Sequence, residues 1–237
     1  MCSGRVDMAH VLRAFSNGMD GVFIGACHLN ECNYVTHGNF VAMNMVLLFK
    51  KIMENIGLNP DRLTMQFMSG AEANVFVEST SSFIKTIKEL GPLGKNEGLD
   101  DEALRSELAR ISKLLPYIKI ATKEKLQKRL NPDQYEGYFT KDEVAKLFGE
   151  TPSYYIQPDK CRACMICARR CPVEAIISAK QEVHVIDQDK CIKCGTCIEV
   201  CPTRFSAITK IIGQPAPPPL PEGKRAIVKK SKEKEAA

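Results

Sequence analysis

Eight of the chain's eleven cysteines fall into two runs of one spacing. Cys161, Cys164, Cys167 and Cys171 precede Pro172 in the pattern C-x2-C-x2-C-x3-C-P, and Cys191, Cys194, Cys197 and Cys201 repeat it up to Pro202. The flanking text repeats too: PDKCRACMICARRCPVEAI against QDKCIKCGTCIEVCPTRFSAI, an internal duplication. A loop of this spacing aims three thiolates at one cube of iron and sulfide, and the fourth cysteine reaches across to the other cube. The expected assignment is one [4Fe–4S] cluster on Cys161, Cys164, Cys167 and Cys201, and a second on Cys191, Cys194, Cys197 and Cys171. Two structural zincs are the alternative. Zinc sites use C-x2–4-C pairs about a dozen or more residues apart, which two compact four-cysteine runs fit poorly. Such clusters move one electron at a time and need no substrate pocket, acid or base. Each proline is expected to end its loop and turn the chain into a short helix.

This region, roughly 55 residues with highly specific motifs, resembles the bacterial dicluster ferredoxins. Met165 stands where such loops usually carry glycine, as Gly195 does in the second run. A side chain there can alter amide hydrogen bonds to cluster sulfurs, and so the potential. Between the runs, VHVIDQ, Val183 to Gln188, reads as hairpin packing, and His184 on it as a packing residue rather than a ligand.

Cys2, Cys27 and Cys32 remain, all in the first region. GVFIGA, Gly21 to Ala26, is a buried-strand pattern, and GACHLNECNY follows it. The carboxyl ends of parallel strands are where α/β folds build sites. His28 and His37 lie close by, and Cys2 would sit at the end of a preceding strand, so all three cysteines could converge. The stretch CSGRVDMAHVLRAFSNGMDGVFIGACHLNECNYVTHGNF resembles the iron–sulfur delta subunit of methyl-viologen-reducing hydrogenase over about residues 2 to 90. The resemblance rests on Cys2-Ser-Gly-Arg-Val, on Gly25-Ala-Cys-His followed by Cys32, on Gly38-Asn39, and on Ser69 to Glu72. It implies a [2Fe–2S] cluster with Cys2, Cys27 and Cys32 as candidate ligands. It also implies electron passage between a hydrogenase or dehydrogenase and the flavin-containing subunit of a heterodisulfide-reductase-type complex. Family members usually begin with another strand and a cysteine pair, and tend to have His where this chain has Tyr34. Three cysteines do not complete an all-thiolate set of four. His28, His37 or a partner residue could be the fourth ligand, or the site could be empty and kept for docking, or hold zinc or another ion.

The elements that must position these residues follow from periodicity. VDMAHVLRAFSNG reads as a helix capped by Asp7 and stopped at Gly18. GNFVAMNMVLLFKKIMENIG is a helix apolar around much of its circumference, RLTMQFM alternates like a strand, and Ser69 with Glu72 reads as a capping box opening a helix to about Leu90. Helix, strand, helix, strand, helix implies right-handed crossovers and a parallel sheet, part of a flavodoxin-like α/β domain over residues 1–92. Two strands alone would be poorly covered, and the chain opens on a helix where a strand is expected, so a partner could complete the domain or a preceding piece could be lost. Residues 93–153 read as a charged helical connector, with LDDEALRSELARISKLL amphipathic and Thr140 with Glu143 capping a short helix. Residues 154–210 form the α+β dicluster ferredoxin domain, and 211–237 a Pro-rich basic tail, held by a partner if it is held at all.

The 237 residues carry a formal charge of +5. Two four-iron clusters, at roughly two negative charges each with their thiolates, bring the chain near neutral, so the basic balance is no nucleic-acid signal. No apolar run reaches the roughly 18 residues of a bilayer span, and the start has no secretory pattern, so the expected location is the cytoplasm. Eleven cysteines there point to metal or redox work rather than disulfides. No nucleophile–base pair or GxGxxG after a strand is present, and GPLGKNEG, Gly91 to Gly98, lacks P-loop spacing. The reading is an electron-transfer subunit between a flavin-containing heterodisulfide-reductase-like subunit and a hydrogenase, formate dehydrogenase or other dehydrogenase. Any electron bifurcation would belong to the partner. The alternatives are a structural or docking subunit with architectural clusters, and a stand-alone ferredoxin, which would not need the other 150 or so residues.

Overall fold

The computed structural model describes residues 2–34 and 38–227. The sequence expectations for His37 and for the end of the tail lie outside the described residues. The chain divides into two compact units, residues 1–148 and 149–237.

In the first unit, helix α1 (Met8–Ser16) starts at Asp7, whose carboxylate accepts from the Ala9 N–H at 2.9 Å, while His10 Nδ1 accepts from the Asp7 N–H at 3.2 Å. Its buried face is Met8, Val11, Leu12 and Phe15, the spacing of one helix side. Strands β1 (Val22–Ala26) and β2 (Leu63–Phe67) pair in parallel, with Val22 opposite Leu63 and Ala26 opposite Phe67. Helix α2 (Asn39–Asn55) connects them and buries residues on several sides, from Ala42 through Leu48 and Phe49 to Met53.

Helix α3 (Ala73–Leu90) follows β2 and begins three residues later than the capping-box reading put it. Ser69 N–H donates to the Glu72 carboxylate at 2.6 Å, but Ser69 Oγ accepts from Ala71 and not from Glu72. The result is a turn before the helix, with Glu72 itself at the cap position. Its carboxylate is shared with His28, which holds it outside the helix.

Helix α4 (Asp101–Ala121) then buries Leu104, Leu108, Ile111, Leu115 and Ile118 in the same hydrophobic core as α1 and α2. Helices α5 (Lys123–Gln127) and α6 (Lys141–Gly149) add Leu126 and Val144. Asn44 is buried on α2 and donates to the carbonyls of Lys125, Leu126 and Lys128. Lys119 pairs with Asp7 at 2.7 Å. Residues 93–148 are thus part of the first unit's core.

The second unit pairs β3 (Pro152–Ile156) with β6 (Ile208–Ile212), antiparallel, and β4 (Ile176–Ile177) with β5 (Val185–Ile186). Short helices α7 (Ile166–Arg170) and α8 (Thr196–Val200) each carry the third cysteine of their run and end just before the fourth. The prolines therefore do not open helices. Cys171 and Cys201, each before a proline, are extended with ψ near 120°, because proline excludes the helical region from its predecessor. The tail expectation needs correction for residues 213–227. Val183 N–H donates to Arg225 C=O at 2.7 Å, Ile227 N–H donates to Gln181 C=O at 2.9 Å, and Leu220 and Ile227 pack on the unit's core. The chain itself holds this segment, because an apolar Leu and Ile punctuate it among the prolines and charges.

Candidate metal centres

The duplication persists in the backbone of the two cysteine loops. Ala163 and Met165 have φ of 48° and 65°, and their counterparts Lys193 and Gly195 have 59° and 83°. A left-handed residue between cysteines reverses the chain tightly enough to face several side chains inward. For an L residue it costs roughly 1–2 kcal/mol, so Met165 carries strain that Gly195 avoids. A Cβ at Gly195 would meet Tyr154 Oη at 2.9 Å.

The thiols gather in two sets. Burial pushes the Cys167 thiol up to about 11, reinforced by Cys161, Cys164 and, more weakly, Cys201. Burial, then Cys191, pushes Cys197 up to about 12, with Cys167 of the first run and then Cys194 contributing. Burial also raises Cys191, and Cys194 and Cys171 add to it. A small, partly open cavity is lined by Cys171, Cys191, Cys194 and Cys197, with Tyr154, Ala175 and Gly195 around them. Each set of four thus contains the fourth cysteine of the other run. Polar groups lie against the sulfurs: Ala175 N–H donates to Cys171 Sγ at 3.3 Å, the Cys194 thiol donates to Thr196 Oγ1 at 3.3 Å, and His184 Nδ1 lies 3.4 Å from Cys167 Sγ. Among the described residues no three of His, Cys, Asp and Glu close on a point for one ion. In a zinc tetrahedron every sulfur sits about 2.3 Å from one metal. Four thiols spaced around a cavity suit a larger, cube-shaped group, so the residues present fit two [4Fe–4S] clusters.

Cys2, Cys27 and Cys32 also come together. Cys2 Sγ lies 3.4 Å from Cys32 Sγ. Neighbouring Cys32 raises the Cys27 thiol further after burial has done so. They line an open cleft of about 860 Å³ at the carboxyl ends of β1 and β2, with Gly25, Tyr34, Met68, Glu72 and Phe76. His28 is not in that lining. Its Nε2 is 2.6 Å from Glu72, whose carboxylate raises the imidazole above its ordinary value. The described residues therefore supply three thiols and no fourth, and do not complete the set a [2Fe–2S] cluster needs.

Two residues that hold this turn carried no role in the sequence reading beyond their place in a quoted motif. Asn39 is fully buried and donates to the carbonyls of Cys27 and His28, both at 2.7 Å. Gly38 leaves room for the sulfur: a Cβ there would collide with Cys32 Sγ. The adjacent Gly38-Asn39 pair was the available signal.

Residues 1–91 match the family described as methyl-viologen-reducing hydrogenase, delta subunit, and residues 154–177 and 184–205 match the 4Fe-4S binding domain. The chain is 42% identical over 91 residues to the vhu iron-sulfur subunit of the F420-non-reducing hydrogenase of Methanococcus maripaludis, covering 38% of this chain and 67% of that protein. It is 40% identical over 91 residues to the iron-sulfur subunit of the F420-non-reducing hydrogenase of Archaeoglobus profundus, covering 38% and 66%. Over 94 residues it is 40% identical to one subunit of the ferredoxin/F(420)H(2)-dependent CoB-CoM heterodisulfide reductase of Methanosarcina acetivorans, covering 40% of this chain but 12% of that protein. No helix among the described residues is long and apolar enough to cross a membrane.

Proposed function

Because this chain belongs to the methyl-viologen-reducing hydrogenase delta-subunit family, we propose that it is an electron-transfer subunit of a multi-subunit redox complex. The observation that supports this most is the gathering of eight thiols into two crossed sets of four in the second unit. We assign Cys161, Cys164, Cys167 and Cys201 to one [4Fe–4S] cluster and Cys191, Cys194, Cys197 and Cys171 to the other. When bound, each supplies one-electron redox chemistry. The chain's own part is to present deprotonated sulfur from its loops, to bury Cys161 and Cys167 from water, and to aim donors such as the Ala175 N–H at the sulfurs.

The first unit is read as part of a flavodoxin-like domain that docks on a flavin-containing heterodisulfide-reductase-like subunit. The second is read as the side facing a hydrogenase, formate dehydrogenase or other dehydrogenase, in the cytoplasm. The relatives' names, from a hydrogenase and from a heterodisulfide reductase, support that pairing. Any bifurcation of electron pairs belongs to the flavin partner. The cleft of Cys2, Cys27 and Cys32 would take a [2Fe–2S] cluster only with one more ligand, from His37 or a partner chain, and no electron step is routed through it.

The test is iron and acid-labile sulfide per chain on anaerobically purified protein, with EPR of the reduced sample. About eight irons with paired [4Fe–4S] signals is the expected result. About ten irons with a [2Fe–2S] signal would add the third site. Little iron in intact protein would sink the reading. Clusters that a reduced partner fails to reduce on the turnover timescale would favour a purely architectural role.

A further inference from the structure

The register that sets Cys161 on Cys191 in the duplicated sequence also sets Tyr154 on His184. The two positions have the same task in the fold. Tyr154 lines the cavity of Cys171, Cys191, Cys194 and Cys197. His184 reaches the other set, with Nδ1 at 3.4 Å from Cys167 Sγ. The second half of the repeat has thus placed an imidazole where the first has a phenol. His184 is 1% exposed, and its Nε2 has no hydrogen-bond partner among the described residues. The backbone beside it is pinned through Val183 N–H to Arg225 C=O, and Pro217, Pro219 and Leu220 line the cavity on which the imidazole borders.

We propose that His184 is a positioning residue that donates its Nδ1–H to the Cys167 sulfur, and so raises the potential of the cluster held by Cys161, Cys164, Cys167 and Cys201. This rests on the four-iron reading above. Iron binding removes the thiol proton, which leaves Cys167 Sγ an acceptor only. A neutral imidazole has one N–H to place. On Nε2 it would be a buried donor without a partner, and Nδ1 would point a lone pair at a thiolate. On Nδ1 it satisfies the sulfur, and only the Nε2 lone pair is left alone. An added electron increases the negative charge on the cluster's sulfurs, so the donor gains more after reduction than before. In a buried, low-dielectric setting that difference is magnified. One electron enters, no bond breaks and no proton moves. The sulfur that His184 meets is Cys167, and in the other set Cys171 Sγ accepts from the Ala175 N–H, so the effect of His184 falls on one cluster.

The experiment uses the full chain, purified anaerobically, with iron counted before any titration. His184→Phe keeps a flat ring and loses the donor, and His184→Gln keeps an N–H donor. With iron content equal to wild type, His184→Phe should shift one cluster's reduction equilibrium about tenfold toward the oxidised form, ~59 mV for one electron. The other cluster should not move, and His184→Gln should recover most of the shift. Pulsed EPR of reduced wild-type protein carrying 15N-histidine should show a nitrogen coupling at one cluster, absent from His184→Phe. Unchanged potentials in an iron-replete His184→Phe protein would overturn the proposal. So would the absence of a 15N coupling in wild type, which needs no variant to fold. A wild-type chain without iron would instead overturn the four-iron reading beneath it.

Discussion

Arg62 is fully buried, and its guanidinium donates to the carbonyls of Asp20, Leu90, Gly91 and Pro92 and to both carboxylate oxygens of Glu97. It ties the start of β1 and the end of α3 to β2, the two strands whose ends carry the three-thiol cleft. Arg62→Ala should destabilise the first unit by about 3–5 kcal/mol, because it strands a buried carboxylate and several carbonyls. Arg62→Lys should rescue little, since a single ammonium cannot fork to these partners; urea unfolding measures both. Burial pushes the Glu97 carboxyl up, but Arg62 and the Asn59 N–H together hold it below its ordinary value. The unfolded chain therefore takes up that proton first. The stability it contributes is full above the unfolded value, about 4.3, and is lost as pH falls through the folded one. Unfolding followed by pH should show that acid limb in wild type and not in a double variant lacking Arg62 and Glu97. The two equivalent loop residues make an opposed pair. Gly195→Ala should cost about 1–3 kcal/mol and lower iron retention, since it combines left-handed backbone with a close approach to Tyr154. Met165→Gly should stabilise by at most ~1 kcal/mol, because the strain relieved is offset by glycine's greater entropy loss. Thermal melts of the iron-loaded proteins decide both.

Among elements, those with a local signal sit where periodicity put them: α1, β1, α2, β2 and α4. The elements the sequence misplaced are governed by partners far along the chain. Helix α3 starts late because Glu72 is engaged by His28. The segment around Arg225 is ordered because an edge at Gln181 and Val183 accepts it. Hydrogen exchange tests the second case. The Val183 amide should be protected in the full chain and should exchange far faster after truncation at Gly213. The Cys191 amide, bonded to Asp187 within its own loop, should be affected much less. Equal exchange at Val183 in both proteins would mean that the bridge to Arg225 does not form in solution.

At the scale of the molecule, the two units differ in what holds them. The first buries Phe15, Phe49, Leu48, Ile52, Ile111 and Ile118 in one apolar core. The second has a small core that counts Cys161 and Cys167 among its buried members. Small domains with little apolar burial depend on metal or disulfide cross-links, and metal-binding free energy there is folding free energy. Removing iron with a chelator under reducing conditions should therefore melt residues 149–237 while leaving 1–148 folded. Circular dichroism would show partial loss of structure, and exchange mapping would confine it to the second unit. Loss of both units together would show that the first depends on the second.

The sequence by itself determined the class of chemistry in the second unit, because the spacing of its two cysteine runs is the 4Fe-4S binding pattern. It also determined the elements of the first unit whose apolar spacing is local. Only the tertiary structure decided what distant residues do to one another. It brought Cys2 to Cys32 across α1 and β1, turned His28 to Glu72 and away from the cleft, buried Arg62 and Asn39, folded residues 93–148 into the first core, and set His184 against Cys167. Those outcomes depend on loop closures and burial that no window of the sequence contains.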